Sequence, residues 1–214
     1  VNDRFSPNTE GAVHAFCHAL PRTWHQMGVI LSATDSLAWL AEVTGVPVAD
    51  LAARVPAPPA TPSDILFLPY LSGERTPHNA PGATARFEGL RRDHGLPDLV
   101  QAVMEGVAFA FADCRRVLEA AGTELSEVWL AGGGTRSDAW LGIVAAATGL
   151  TLLKPAEGEN GAARGAARLA RLAAGEASPE DVLRPPALAR RIDPAPEAVA
   201  AYAERHAAFR AAYR

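Results

Sequence analysis

Cysteine is scarce in this sequence: of 214 residues only Cys17 and Cys114 are cysteine, far apart and outside any CxxC context. A reducing compartment fits that usage, and the expected location is the cytoplasm. Excess positive charge is missing too. The formal net charge is −4 and no block of five or more like charges occurs. Nucleic acid is therefore not an expected partner, because binding a phosphate backbone leaves a basic footprint. No apolar run approaches the roughly 18–20 residues that a membrane span needs, so no membrane association is expected. The opening "VNDRFSPNTEG" is polar and turn-rich, unlike a signal peptide, and it lacks a methionine. The expectation is a chain that begins inside a longer protein, or one that has been processed or trimmed.

Several catalytic signatures are absent as well. There is no GxxxxGK[ST] loop, no GxGxxG, no GxSxG elbow and no reactive-cysteine context. The six histidines are scattered; His14 and His18 lie four apart, but on a predicted strand and with no acidic or cysteine partner at ligand spacing. No metal site is assigned to this chain's side chains. No carboxylate is singled out by its surroundings as a general base, and no catalytic residue is assigned.

What is present is an ordinary globular composition, 49% hydrophobic and 21% charged, which argues against bulk disorder. Residues 12–20 and 24–31 are apolar runs separated by Pro21-Arg22-Thr23 and predict a β-hairpin. Ser32-Ala33-Thr34-Asp35 opens a helix that Gly45 and Pro47 close. Residues 53–63 are proline-rich and predict a surface connector. After a short apolar run, residues 70–90 are too rich in glycine and proline for any long element. Pro97 then sits where a first helical turn begins, and Leu99, Val103, Val107, Phe111, Cys114 and Leu118 recur at intervals of three and four. They predict an amphipathic helix over 97–121, ended by Gly122. A strand at 128–130, a helix at 137–148, a strand at 150–155 and an alanine-rich helix at 160–174 follow, which is α/β architecture. A last helix is predicted over about 196–213, striped by Val199, Tyr202, Phe209 and Tyr213.

Two glycine-rich features open consecutive helices in that α/β unit. Gly132, Gly133 and Gly134 precede Thr135-Arg136-Ser137, and Gly161, Ala162, Gly165, Ala166 and Leu169 share one helical face. A glycine run marks either a sharp turn or a backbone that something approaches closely, with nucleotide phosphate the leading candidate. The Gly/Ala face suits either a flat ligand or another helix. Together the two features fit the floor and wall of a nucleotide slot. Ser32 and Thr34, at a helix start after an apolar strand, offer a second anion position; plain N-capping is the alternative. "GERTPH" (73–78) gathers a carboxylate, a guanidinium and an imidazole on a proline-bounded loop, for either an internal Glu74/Arg75 pairing or substrate contact.

"FLPYLSGERTPHNAPGATARFEGL" resembles the FGGY carbohydrate kinases, xylulokinase-like members most closely. The run from Ala85 through Phe87, Gly89-Leu90, Asp98-Leu99, Ala102 and Met104-Glu105-Gly106 is similar to that family's second signature. "AGGGTRSDAW" is similar to its nucleotide loop, "GAARLA" (165–170) to its GAAxLA helix, and "FCHALP" with "WHQMGVILSA" also fits. Ala85-Arg86 departs from the family's small-flanked glycine, a local loop variation. The likeness covers nearly the whole chain and weakens after about residue 176.

The resemblance implies an actin-like, ribonuclease-H-like α/β fold: the C-terminal half of a two-domain sugar kinase that uses ATP. It divides 1–214 into a core over 12–176 and a C-terminal helical extension over 177–214. It implies ATP phosphates and ribose against Gly132, Gly133, Gly134 and Thr135, Ser137 near the adenosine, and adenine flanked by Gly161 and Gly165. The sugar pocket, the catalytic aspartate, most magnesium contacts and a GTSG-type phosphate loop belong to an N-terminal domain that these residues do not include. The expected partners are that domain, ATP and a small sugar such as D-xylulose; a homodimer is left open. Two other readings stay open: a stand-alone nucleotide-binding or interaction module, and an FGGY kinase for another sugar or polyol.

Overall fold

A computed structural model describes residues 1–57, 61–157 and 161–213. Residues 58–60 of the predicted connector and residue 160 of the predicted alanine-rich helix lie outside the described residues. A helix of 25 residues, α3 (Leu96–Ala120), is the centre of the molecule. It starts as its sequence dictates: Pro97 occupies the first turn, and the Asp98 carboxylate accepts the Gly95 N–H at 2.7 Å. The predicted one-sided stripe is corrected in the middle of this helix, where residues 102–110 are all buried. The reason is tertiary. α1 (Ala33–Thr44), strand β3 (Leu66–Leu68), α4 (Asp138–Thr148) and α7 (Pro196–Ala212) all cover it. Phe111, a member of the predicted stripe, is instead 39% exposed.

Among the described residues the strands form three small sheets. The hairpin β1 (His14–Cys17) and β2 (Trp24–Met27) is antiparallel, with His14 opposite Met27 and Cys17 opposite Trp24, and is shorter than the apolar runs that predict it. β3 pairs antiparallel with β4 (Arg86–Glu88). β5 (Glu127–Trp129) runs parallel to β6 (Thr151–Pro155), as a strand–helix–strand crossover through α4 requires, and β7 (Leu188–Ile192) closes that sheet antiparallel to β6. Two short helices, α2 (Val48–Ala52) and α6 (Pro179–Val182), join α5 (Gly161–Ala173) in completing the element order.

One core spans α1, β3, α3, α4 and α7, with Leu37, Phe67, Met104, Phe109, Ile143, Tyr202 and Phe209 fully buried within it. A smaller cluster of Leu141, Ala145, Leu150 and Leu152 lies under the β5–β6 sheet. The helical extension expected over 177–214 is corrected in two respects. It contains a strand, β7, and its long helix is a wall of the main core, with Tyr202 and Phe209 facing α3. β7 forms because β6 still has an edge to pair, a demand that Leu188–Ile192 alone does not display.

Candidate functional site

The chain leaves β5 and turns at Gly132, whose φ of +93° lies where side chains are strained. Gly133–Arg136 forms a single 3-10 turn. The Thr135 N–H and hydroxyl both donate to the Gly132 carbonyl, at 3.2 and 2.8 Å. Ser137 then caps α4, its Oγ accepting the Trp140 N–H at 3.2 Å. Trp140 locks the unit down, its indole N–H donating to the Met104 carbonyl of α3 at 3.0 Å.

The three glycines have three different surroundings. Gly132 supplies the left-handed turn. A β-carbon on Gly134 would lie 3.1 Å from Thr34 Cγ2, so this glycine lets the loop seat against α1. One on Gly133 would meet nothing within 4 Å, and its φ is not left-handed. Among the described residues nothing requires Gly133 to lack a side chain.

Thr34 thus belongs to the same site as the loop, a juxtaposition that sequence spacing does not reveal. The capping alternative for Ser32 and Thr34 is corrected: Ser32 holds the N-cap position but makes no side-chain capping bond, and Thr34 lies inside the first turn. The Ser32 backbone, at φ −132° and ψ 55°, departs from the extended geometry that aims an N-cap oxygen at the next amides. Its Oγ is buried without a partner among the described residues. Between α1, α2 and the loop lies a cleft of about 840 Å³ lined by Thr34, Val48, Ala52, Gly133, Ser137 and Asp138. A second cavity of about 530 Å³ lies on the other side of Thr34 and Gly134, and Thr34, Gly133, Gly134 and Trp140 border both. The cleft is of the size that small-molecule ligands occupy, roughly 300–1,000 Å³. Its far wall, α2, is absent from the sequence reading, because five residues between prolines show no period.

The GERTPH loop supports this site from behind. Glu74 is 1% exposed, and its Oε1 accepts the Leu31 N–H at 3.1 Å and the Arg75 N–H at 2.7 Å. The predicted Glu74/Arg75 pairing is therefore made through the Arg75 main chain. The more consequential bond, to Leu31, fixes the strap leading into α1. Thr76 reinforces it: its Oγ accepts the Val29 N–H at 2.9 Å and donates to the Ala12 carbonyl at 3.1 Å. Burial pushes the Glu74 carboxyl up to about 7, against the pull of its two main-chain donors. His78 serves the C terminus, with its Nε2 3.0 Å from the Tyr70 hydroxyl and its ring stacked on Tyr213 at 3.6 Å; burial lowers its pKa.

The second glycine feature is placed differently. A β-carbon on Gly161 would touch Ala131 Cβ at 3.4 Å, so the start of α5 adjoins the end of β5 beside the loop. One on Gly165 would meet nothing within 4 Å, and Gly165 borders neither cavity described above. α5 has no buried residue, and Leu169 is 48% exposed. Among the described residues the short helix α6 adjoins α5, so packing against another helix stays open beside the ligand reading. Thr34, Gly132–Thr135 and Ser137 share one locale, Gly161 borders it, and Gly165 lies a turn beyond.

Two buried acids of α3 were missed by the sequence reading as supports of this architecture. Glu105 takes the Ser63 N–H at 3.0 Å, Gln101 Nε2 at 2.8 Å and the Tyr202 hydroxyl at 3.0 Å, and burial pushes it up to about 6. Asp113 meets His206 Nε2 at 3.2 Å, with Arg116 and Arg210 nearby. Their signal was available: acids set among apolar neighbours in mid-helix. Among the described residues, no group of three or more His, Cys, Asp or Glu is placed to hold a metal ion, and no helix is long and apolar enough to cross a membrane.

Comparison with known proteins places these features in context. The profile of the C-terminal domain of the FGGY family of carbohydrate kinases matches residues 5–174. The xylulose kinase of Escherichia coli K12 is 44% identical over 218 residues, covering 100% of this chain and 45% of that protein. The crystal structure of a Brucella ovis protein described as a xyloylose kinase superposes with a TM-score of 0.93 at 45% identity, covering 99% of this chain and 44% of that one. The Rhodospirillum rubrum xylulose kinase structure gives 0.77 at 28% identity, covering 97% and 43%. The chain thus spans less than half the length of these relatives.

Proposed function

The chain belongs to the FGGY family of carbohydrate kinases, as its C-terminal actin-like α/β domain, and from this premise we propose that it supplies the ATP-binding half of a D-xylulose kinase. The complete protein transfers the γ-phosphoryl group of ATP to a sugar hydroxyl, a reaction whose catalysis is mostly positioning and charge neutralisation. The other half carries the sugar pocket, the aspartate that accepts the hydroxyl proton, and most of the magnesium contacts.

The observation that carries this reading is Gly133: it borders the cleft, and among the described residues no neighbour gives its missing side chain a use. A phosphate chain needs close backbone approach, and the open turn 132–135 permits it. ATP, when bound, supplies the phosphoryl group. Within this chain, the loop amides and the Ser137 hydroxyl hold and orient the nucleotide, Thr34 backs the loop, and Gly161 with Gly165 offers a flat surface to the base. Closure of the two halves excludes water from the transfer.

An ADP-release assay tests the proposal in the complete protein. D-Xylulose should be phosphorylated, and residues 1–214 alone should show no turnover above the blank. Turnover by 1–214 alone, abolished by a substitution within it, contradicts the division of labour. Preference for a polyol over D-xylulose in the complete protein replaces the substrate but keeps the family.

A further inference from the structure

We propose that Asp138, held in place by Arg190, reads the ribose hydroxyls of the nucleotide and so selects a ribonucleotide over a deoxyribonucleotide as phosphoryl donor. This deepens the ATP-binding reading and rests on it. Asp138 is the first residue of α4, directly after Ser137, and borders the cleft together with Gly133, Gly134 and Ser137. Across the cleft stand Ala38, Val48, Ala49 and Ala52, whose side chains form no hydrogen bonds. Asp35 also borders the cleft, but no ion pair holds it among the described residues. Asp138 is the acid that the fold fixes: its Oδ2 lies 2.8 Å from Arg190 Nη1.

The source of the arginine is informative. Arg190 lies on β7, at Leu188–Ile192, beyond the residues 5–174 that the family profile matches. Successive strand residues face opposite sides. Arg191 pairs with Glu127 of β5 and with Asp193, and Arg190, turned the other way, reaches the start of α4. Both members of the Arg190–Asp138 pair are about half exposed, and an ion pair so open to water adds little to stability. Its use lies in where it holds the carboxylate and in the charge it offsets beside an anionic ligand.

Chemistry then identifies the part of the nucleotide that Asp138 meets. An ionised carboxylate only accepts hydrogen bonds. Phosphate oxygens are acceptors too and carry the same charge, so the two repel. The faces of the base call for apolar surface. The ribose presents neighbouring hydroxyl donors, and an acid on a ribose hydroxyl is the arrangement that dinucleotide-binding folds use. A carboxylate has about four acceptor positions, so the bond to Arg190 leaves capacity for such a ligand. Position along the chain agrees: with phosphates along 132–135, Asp138 follows Ser137 on the nucleoside side. The adenine amino group is the competing donor, and the test separates the two.

Calorimetric titration of the complete protein with ADP, 2′-deoxyADP, 3′-deoxyADP and IDP tests it and needs no sugar. ADP is expected to bind on the order of tenfold more tightly than the weaker of the two deoxy forms. Asp138→Ala should abolish that gap by weakening ADP alone. Arg190→Met should narrow it, and Arg190→Lys, which keeps a cation on β7, should preserve most of it. Equal weakening of ADP and both deoxy forms by Asp138→Ala, with a fall in melting temperature, marks an acid that merely serves the first turn of α4 and overturns the proposal. A gap that survives Asp138→Ala, or that Asp35→Ala removes instead, overturns it as well. Loss of the preference for ADP over IDP, with the deoxy ratios intact, assigns the carboxylate to the adenine amino group and also refutes the ribose assignment. If no adenine nucleotide binds, the ATP-binding reading itself falls; ADP binding without discrimination overturns the ribose assignment alone.

Discussion

In α3, a β-carbon on Gly106 would fall 2.2 Å from the Phe67 carbonyl oxygen; in α5, one on Gly165 would meet nothing within 4 Å. Both glycines sit in mid-helix, where each costs roughly 1 kcal/mol relative to alanine. In α3 that cost permits β3 to lie directly on the helix, and the crowding is main chain against main chain. In α5 no neighbour among the described residues explains it. The contrast separates glycines that the fold requires from glycines whose reason lies outside these residues. By the same criterion Gly133 sides with Gly165, and Gly134, close against Thr34, sides with Gly106.

The largest test breaks the crowded side. Gly106→Ala should cost about 3 kcal/mol or more in denaturant unfolding, because a backbone carbonyl cannot rotate away as a side chain can. A loss below about 1 kcal/mol would show that α3 and β3 are less tightly apposed than described.

Crowded and open surroundings also divide the carboxylates. Glu74 and Glu105 are buried and raised to about 7 and about 6 from 4.5. The folded protein therefore binds their protons more tightly than the unfolded chain does, and their contribution to stability falls as pH rises from about 4.5 towards 7. Glu74→Gln keeps an acceptor for Leu31 and Arg75 while removing the charge. Thermal melts should show the variant less pH-dependent, with a gain of about 2 kcal/mol over wild type at pH 8. An unaltered pH slope in the variant removes Glu74 as its source.

On the open side, Gly133→Val in the complete protein should raise the KM for ATP at least about tenfold, equivalent to about 1.4 kcal/mol, with the KM for sugar and the melting temperature little changed. A matched fall in melting temperature would place Gly133 with Gly106 after all. The smallest effect belongs to Gly165→Ala. Helix propensity predicts a stability gain of about 0.5–1 kcal/mol. If the base lies on this face, that gain comes with a higher KM for ATP. Stabilisation with KM unchanged takes Gly165 out of the nucleotide site.

Elements with a long period, such as α3, or with a strong boundary, such as α1 closing at Gly45 with φ +68°, were readable because each residue repeats the same local message. α2, β4 and β7 were not, since three to five residues carry no period and form only where a partner edge or surface waits. The loop 132–137 announced itself through its composition, yet Thr34, about a hundred residues earlier, joined it only in space. Glu74 was visible as part of a motif, but its bond to the Leu31 N–H depends on how two loops meet.

By itself the sequence determined the family, the α/β order, the central helix and the glycine loop, because local propensity and motif chemistry are written along the chain. Tertiary structure alone decided which glycine is crowded and which has no neighbour among the described residues, and that α5 has no buried residue. Those properties belong to distances between residues far apart in the chain, where burial and steric contact act without regard to sequence separation.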